Sequence, residues 1–236
     1  MFTFTVVSIE GNIGSGKSTL LNNLKEYYAD MPEIIFLKEP VEEWEKIKDE
    51  NGITILEKFY CDQNKYSFPF QMMAYVSRLK LLKDTLKNIT VSNSLSSINK
   101  NYIIITERSL YTDKMVFAKM LYDSGKIEYV NYQIYLSWFN TFIDDYPVNK
   151  IIYVKTSPEI CHARIMKRSR DGESNIPLEY LDDCDKYHNE MIEGNSELMQ
   201  NKIYDELLLL NGNEDIYRNE EIVDKWINII DEFIRK

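Results

Sequence analysis

At 236 residues, 44% of them hydrophobic, the chain is long enough for one α/β domain with a substantial core and short for two. Its formal net charge of −10 argues against nucleic acid as a partner, because proteins that track a phosphate backbone gather basic patches. Cys61, Cys161 and Cys184 lie far apart without a CxxC pair, and His162 and His188 are isolated, so zinc and a disulfide framework are disfavoured and a reducing compartment is expected.

Five short apolar runs read as parallel strands buried on both faces: Phe4–Ile9, Ile34–Leu37, Tyr102–Thr106, Ile151–Val154 and Leu207–Leu210. Amphipathic stretches alternate with them. One follows Lys17, and Gln71–Leu86 carries Met72, Tyr75, Val76, Leu79, Leu82 and Leu86 at helical spacing. Asp113–Tyr122, Val130–Ile143 and Ile222–Ile234 behave similarly. The alternation predicts an α/β fold: a doubly wound, five-stranded parallel sheet flanked by helices, in a single domain over 1–236. The polar, Ser/Asn-rich stretch Asn88–Asn101 reads as a surface loop or helix extension without a chemical role. No apolar run reaches membrane-span length and no leader is recognised, so the expectation is a cytoplasmic protein with no membrane partner.

Ligands of such sheets collect at the carboxyl ends of the strands, and each distinctive cluster falls there. Residues 6–20 read VVSIEGNIGSGKSTL, and three of only 8 glycines, Gly11, Gly14 and Gly16, crowd into this stretch. The run Gly11, Asn12, Ile13, Gly14, Ser15, Gly16, Lys17, Ser18, Thr19 fits the phosphate-binding loop between a strand and a helix. Glycines let the backbone fold into a cradle of N–H groups for phosphate oxygens, and the helix start adds its positive dipole end. Lys17 would reach the β- and γ-phosphates of a nucleoside triphosphate, and the Ser18 hydroxyl would ligate Mg²⁺.

After the second strand, Lys38-Glu39-Pro40 holds a carboxylate at the mouth of the sheet, suited to accept a proton from a substrate hydroxyl, with an ordinary solvated loop carboxylate as the alternative. After the third, Glu107 is placed to serve Mg²⁺ directly or through water, and Arg108 to steady charge on a transferred phosphoryl group; a Glu–Arg pair capping the next helix is the structural alternative. After the fourth, Arg164, Lys167 and Arg168 begin a basic run through Arg170 to Glu173 that reads as an Arg-rich lid over triphosphate, against the alternative of a solvated basic helix face. The aromatic segment from Phe59 through Tyr60 and Phe70 to Gln71 reads from composition alone as packing, though aromatic faces stack on nucleobases and an amide can pair with a base edge.

Taken in order, IEGNIGSGKST, EPVEEW, FYCDQNKYSFPFQ, SRLK, ERSLYTD, RIMKRSRDGE and IPLEYL resemble the deoxynucleoside kinase family over nearly the whole chain. The resemblance implies that Glu39 is the general base for the deoxyribose 5′-hydroxyl, with Arg108 beside the reacting groups and Glu107 associated with Mg²⁺. It implies that Tyr60 and Glu173 bind the sugar 3′-hydroxyl, that Gln71 pairs with the base against Phe70, and that Arg164 and Arg168 hold donor phosphates. Trp44, Ile13, Leu56 and Phe117 correspond to an apolar pocket wall. Ala74, Arg78 and Asp113 match members that take deoxycytidine or purine deoxynucleosides, so thymidine is expected to be a poor substrate. A homodimer through helices flanking the sheet is also implied.

The expected reaction is transfer of the ATP γ-phosphoryl group to the 5′-hydroxyl of a deoxynucleoside. A nucleoside monophosphate kinase is the main alternative, and it would need cations for its acceptor phosphate where this chain has EPV. A GTPase-type switch lacks support because Asn149-Lys150 is not followed by the required Asp. A catalytically dead subunit is opposed by the intact set of Lys17, Ser18, Glu39, Glu107 and Arg108.

Overall fold

Strand β1 (Thr3–Glu10) has hydrogen-bonded neighbours on both sides, and its carboxyl end opens into the glycine-rich loop. The computed structural model describes residues 3–94, 100–168, 176–194, 203–216 and 219–236. Around β1 lie β2 (Ile34–Leu37), β3 (Asn101–Glu107), β4 (Lys150–Lys155) and β5 (Glu206–Asn211), in the order β2-β3-β1-β4-β5 and all parallel. The predicted five-stranded parallel sheet is the observed one. Its register sets Ile9 beside Glu107 on one side and Ile152 on the other, so the loops after β1 and β3 leave the sheet together.

Alternation along each strand sorts side chains to two faces. Val7, Ile9, Ile152 and Val154 pack against α1 (Lys17–Tyr27) and α10 (Glu220–Arg235). Helix α10 turns Trp226, Ile227, Ile230, Phe233 and Ile234 inward at helical spacing, each burial worth roughly 1.5–3 kcal/mol for such side chains. Toward the other face, Tyr102 and Ile104 meet a larger aromatic core. That core draws on α3 (Ile55–Cys61), α4 (Gln63–Ser94) and α7 (Tyr129–Phe142), through Phe59, Phe70, Tyr75, Tyr135 and Phe139. Short α2 (Val41–Trp44) adds Trp44.

Three elements differ from expectation. Helix α4 is longer than Gln71–Leu86 and runs through Pro69 to Ser94, so the part of the Asn88–Asn101 stretch up to Ser94 is helix extension rather than loop. Thr90 and Asn93 donate to the Leu86 and Ile89 carbonyls one turn back, which reconciles these polar residues with helix. The helix expected over Asp113–Tyr122 is a π turn over Asp113–Ala118 and then α6 (Lys119–Asp123), entered from the short α5 (Leu110–Thr112). Strand β5 is not buried on both faces: Leu207 and Leu209, on one face, are 39% and 58% exposed, whereas Leu210 on the other is buried. A leucine run carries no mark separating a strand covered on one face from a strand covered on both. Among the described residues no helix is long and apolar enough to cross a membrane.

Candidate active site

The carboxyl ends of β1, β2 and β3 face a cavity of about 570 Å³. Its floor is the loop before α1. Gly11, Gly14 and Gly16 all have positive φ, at 146°, 80° and 101°. A side chain at Gly14 would put Cβ 2.6 Å from the Cys161 carbonyl oxygen of α8 (Pro158–Arg168) and 3.0 Å from Ile165, so only glycine lets the loop seat there. Ile13, Gly14, Gly16, Lys17, Ser18 and Thr19 line the cavity. Gly11, Asn12 and Ser15 do not: the Asn12 amide donates to the Leu181 carbonyl of α9 (Leu178–Glu193) at 2.8 Å, and the Ser15 carbonyl accepts from Thr156 and Arg164, both at 3.3 Å. Through these bonds Asn12 and Ser15 tie the loop to its neighbours.

Lys17 is buried, and its ammonium donates to the Asn12 carbonyl at 2.6 Å. Burial, helped by the nearby Arg108 charge, pushes its pKa down to about 7, against attraction from Glu107 and Glu39. Beside it, the Ser18 hydroxyl donates to Glu107 Oε1 at 2.5 Å. A hydroxyl and a carboxylate oxygen next to a phosphate loop form a donor set that fits Mg²⁺, which takes few protein ligands and completes its octahedron with phosphate oxygens and water. The β1–β3 pairing creates this contact across 89 residues of sequence.

Glu39 stands just beyond β2, before the Pro40 turn, and lines the cavity. Arg108 donates from one terminal nitrogen to both carboxylate oxygens at 2.8 Å, and Arg78 donates to Oε1 at 2.9 Å. Burial would push the Glu39 carboxyl up. The charges of Arg108, Arg78 and Lys17 outweigh it and hold the group at about 2. Arg78, deep in α4, also binds Asp113 through Nε at 2.9 Å and the Glu107 carbonyl at 2.6 Å. The buried Arg78–Asp113 ion pair is therefore part of a larger constellation. Asp113 lines the cavity while Arg78 sits behind it. Arg108 is aligned over the Phe117 ring at 5.1 Å.

The remaining wall is aromatic. Phe70 stacks on Phe59 at 4.6 Å and meets Trp44 edge-on at 5.5 Å, and the Trp44 indole donates to Ser77. Leu56, Ala74 and Phe117 complete the apolar lining. Gln71 is 2% exposed, faces the cavity, and its amide has no hydrogen-bond partner among the described residues. Tyr60 lies edge-on to Tyr180 at 6.4 Å, and both line the cavity.

At the opposite end, Arg164, Lys167 and Arg168 of α8 line the same cavity. The Arg164 guanidinium donates to the Gly212 and Glu214 carbonyls at 2.9 and 3.1 Å as well as to Ser15, so it ties α8 to the loop and to the turn after β5. The remainder of the expected lid, Arg170 and Glu173 included, lies outside the described residues. Phe59, Tyr180, Lys38 and Asp215 also line the cavity and were not singled out as site residues from sequence. Tyr180 stood within IPLEYL, where a polar-tipped aromatic among aliphatics was the available signal.

The deoxynucleoside kinase family model matches residues 7–235. The chain is 34% identical over 198 residues to a probable deoxycytidine kinase of fowlpox virus (strain NVSL), covering 83% of this chain and 74% of that one. It is 34% identical over 192 residues to the deoxycytidine kinase of Homo sapiens, covering 75% and 70%. It is also 32% identical over 190 residues to the mitochondrial thymidine kinase 2 of Homo sapiens, covering 80% of this chain and 64% of that relative.

Proposed function

The chain belongs to the deoxynucleoside kinase family and is an ATP-dependent kinase of that class, and from this premise we propose that it phosphorylates the 5′-hydroxyl of deoxyadenosine, deoxyguanosine or deoxycytidine in preference to thymidine. One observation carries the choice of acceptor. Arg78 and Arg108 contribute two positive charges at the acceptor end, and Glu39 and Asp113, bonded to them, contribute two negative ones. Within this four-residue cluster the charges balance, which suits an uncharged hydroxyl better than an acceptor phosphate and so opposes a monophosphate kinase.

In this reading the nucleoside base lies among Trp44, Phe70 and Phe117, with the Gln71 amide, which faces the cavity, pairing to its edge. Tyr60, with Glu173, holds the sugar 3′-hydroxyl. Asp113, held by Arg78 from behind, occupies the space a thymine methyl needs and presents its oxygens to an exocyclic amine. Glu39 accepts the 5′-hydroxyl proton. A carboxylate near 2 is a weak base, but phosphoryl transfer passes through a loose transition state in which the hydroxyl becomes acidic only as its bond to phosphorus forms. Arg108 then steadies charge on the group in transit, and Lys17 with the loop amides cradles the phosphates. Ser18 and Glu107 would hold Mg²⁺, which when bound neutralises phosphate charge. Arg164 and Arg168, which line the other end of the cavity, would hold the donor phosphates.

The proposal extends to a homodimer. Val130, Ile134 and Trp138 form an exposed apolar stripe at helical spacing on α7, and Val76 of α4 is likewise exposed, a surface suited to a second copy. A cytoplasmic location is part of the same reading, in keeping with three free thiols. The reaction is tested by initial rates with Mg-ATP across the four deoxynucleosides and their 5′-monophosphates. Turnover of nucleosides alone supports the proposal, and turnover of monophosphates alone refutes it.

A further inference from the structure

Glu10, the last residue of β1, is 0% exposed, does not line the cavity, and takes no part in the chemistry above. Its carboxylate accepts three hydroxyls: Ser8 at 2.6 Å and Ser109 at 2.7 Å on Oε1, and Thr112 at 2.5 Å on Oε2. Burying a carboxylate is costly unless hydrogen bonds replace its water, and an apolar residue would fill the space more cheaply. What the carboxylate grips is therefore informative.

It grips the segment that holds Arg108. Among the described residues Arg108 is the one non-glycine with positive φ, at 64°. Left-handed backbone is unfavourable for a residue with a side chain and persists where its surroundings over-determine it. Here the last two residues of β1 hold both sides of the strained position. The Ile9 carbonyl accepts the Arg108 N–H at 3.0 Å, and the Glu10 carboxylate accepts the hydroxyl of Ser109. Ser109 in turn caps α5, and Thr112, bound by the second Glu10 oxygen, is followed at once by Asp113 and the π turn that carries Phe117. One carboxylate thus fixes the origin of Arg108, Asp113 and Phe117, all three of which line the cavity.

We propose that Glu10 is a positioning residue, which clamps Ser109 and Thr112 to keep Arg108 in its left-handed conformation and to set the angle at which Asp113 and Phe117 enter the nucleoside site. The inference rests on the reading that these three residues face the nucleoside and its 5′-hydroxyl. In Glu10→Gln one acceptor becomes an amide donor, so two of the three hydroxyls keep an acceptor and the third must reorient.

The test uses the full chain carrying Glu10→Gln and, separately, Thr112→Val. In Glu10→Gln, kcat on the best deoxynucleoside should fall about 10- to 100-fold, because a misplacement near 1 Å costs about that much, while KM for ATP stays within about twofold. Thr112→Val should lose less in the same direction, and the double variant should lose less than the product of the two, since both act through one clamp. A purely structural role would instead lower the melting temperature with kcat per active site unchanged, and that result overturns the proposal. If Glu10→Gln does not fold, a normal kcat in Thr112→Val overturns it equally. Crystals of whichever variant folds separate this inference from the functional reading. Arg108 should leave the left-handed region there; if its backbone is unchanged the proposal fails, whatever substrate the parent enzyme proves to use.

Discussion

Replacing Glu39 by Gln removes the carboxylate that binds both Arg108 and Arg78 and barely changes the side chain's volume. The group stands at about 2 in the folded chain against 4.5 unperturbed. At 1.36 kcal/mol per pH unit, that gap corresponds to roughly 3 kcal/mol favouring the charged form. Because the folded value lies below the unfolded one, this stabilisation is complete above about pH 5 and is lost as pH falls toward about 2. Glu39→Gln should therefore cost on the order of 3 kcal/mol at neutral pH, less what the amide recovers, or about 5–10 °C in melting temperature for a chain this long. The difference from the parent should shrink as pH is lowered from about 5 to about 3. Turnover should fall further, by about 10²- to 10⁴-fold, with deoxynucleoside affinity much less affected. Thermal melts from neutral to acid pH and initial rates with Mg-ATP measure both. Near-normal turnover would remove Glu39 as base, and a melting difference that does not narrow in acid would refute the charge argument.

Arg78→Leu combined with Asp113→Ala should raise kcat/KM for thymidine relative to deoxycytidine by about tenfold or more, since Asp113, held in place by Arg78, fills the methyl's space and supplies the amine-binding oxygens that the substitutions remove; no gain in thymidine use would sink that account. Lys17, pushed down to about 7 in the nucleotide-free chain, should recover its proton beside phosphate. ATP binding at pH 8 should then take up close to one proton and weaken as pH rises, an uptake read by calorimetry in buffers of differing ionisation heat and lost in Lys17→Met. Heats identical in every buffer would contradict it. Ile134→Asp with Trp138→Asp should convert dimers to monomers in sedimentation velocity, and a parent chain that already sediments as a monomer refutes the proposed interface.

What the sequence revealed and what it withheld divide by the range of the interactions. The loop from Gly11 to Thr19 is contiguous and its glycines are demanded by local backbone geometry, so it could be read directly. Strands β1 to β4 showed as apolar runs, and β5 looked the same although one of its faces leaves Leu207 and Leu209 exposed. The Arg78–Asp113 pair was reached through family resemblance, but its extension to Glu39 and the Glu107 carbonyl is a product of three elements meeting at the strand ends. Glu10 was passed over because its partners Ser109 and Thr112 lie about a hundred residues away, and neither hydroxyl is distinctive in sequence. The left-handed backbone of Arg108 has no residue signature either, since that conformation normally announces itself through glycine or asparagine.

The most direct test of the account is competition: equal concentrations of deoxyadenosine, deoxyguanosine, deoxycytidine and thymidine with limiting Mg-ATP, the 5′-monophosphate products separated and counted. The ratio of products reports the ratio of kcat/KM values without separate fits. The account predicts that one or more of the three amino-bearing nucleosides dominates and that thymidine monophosphate is the minor product. Thymidine monophosphate as the main product would contradict the role given to Arg78 and Asp113 and the substrate choice built on it.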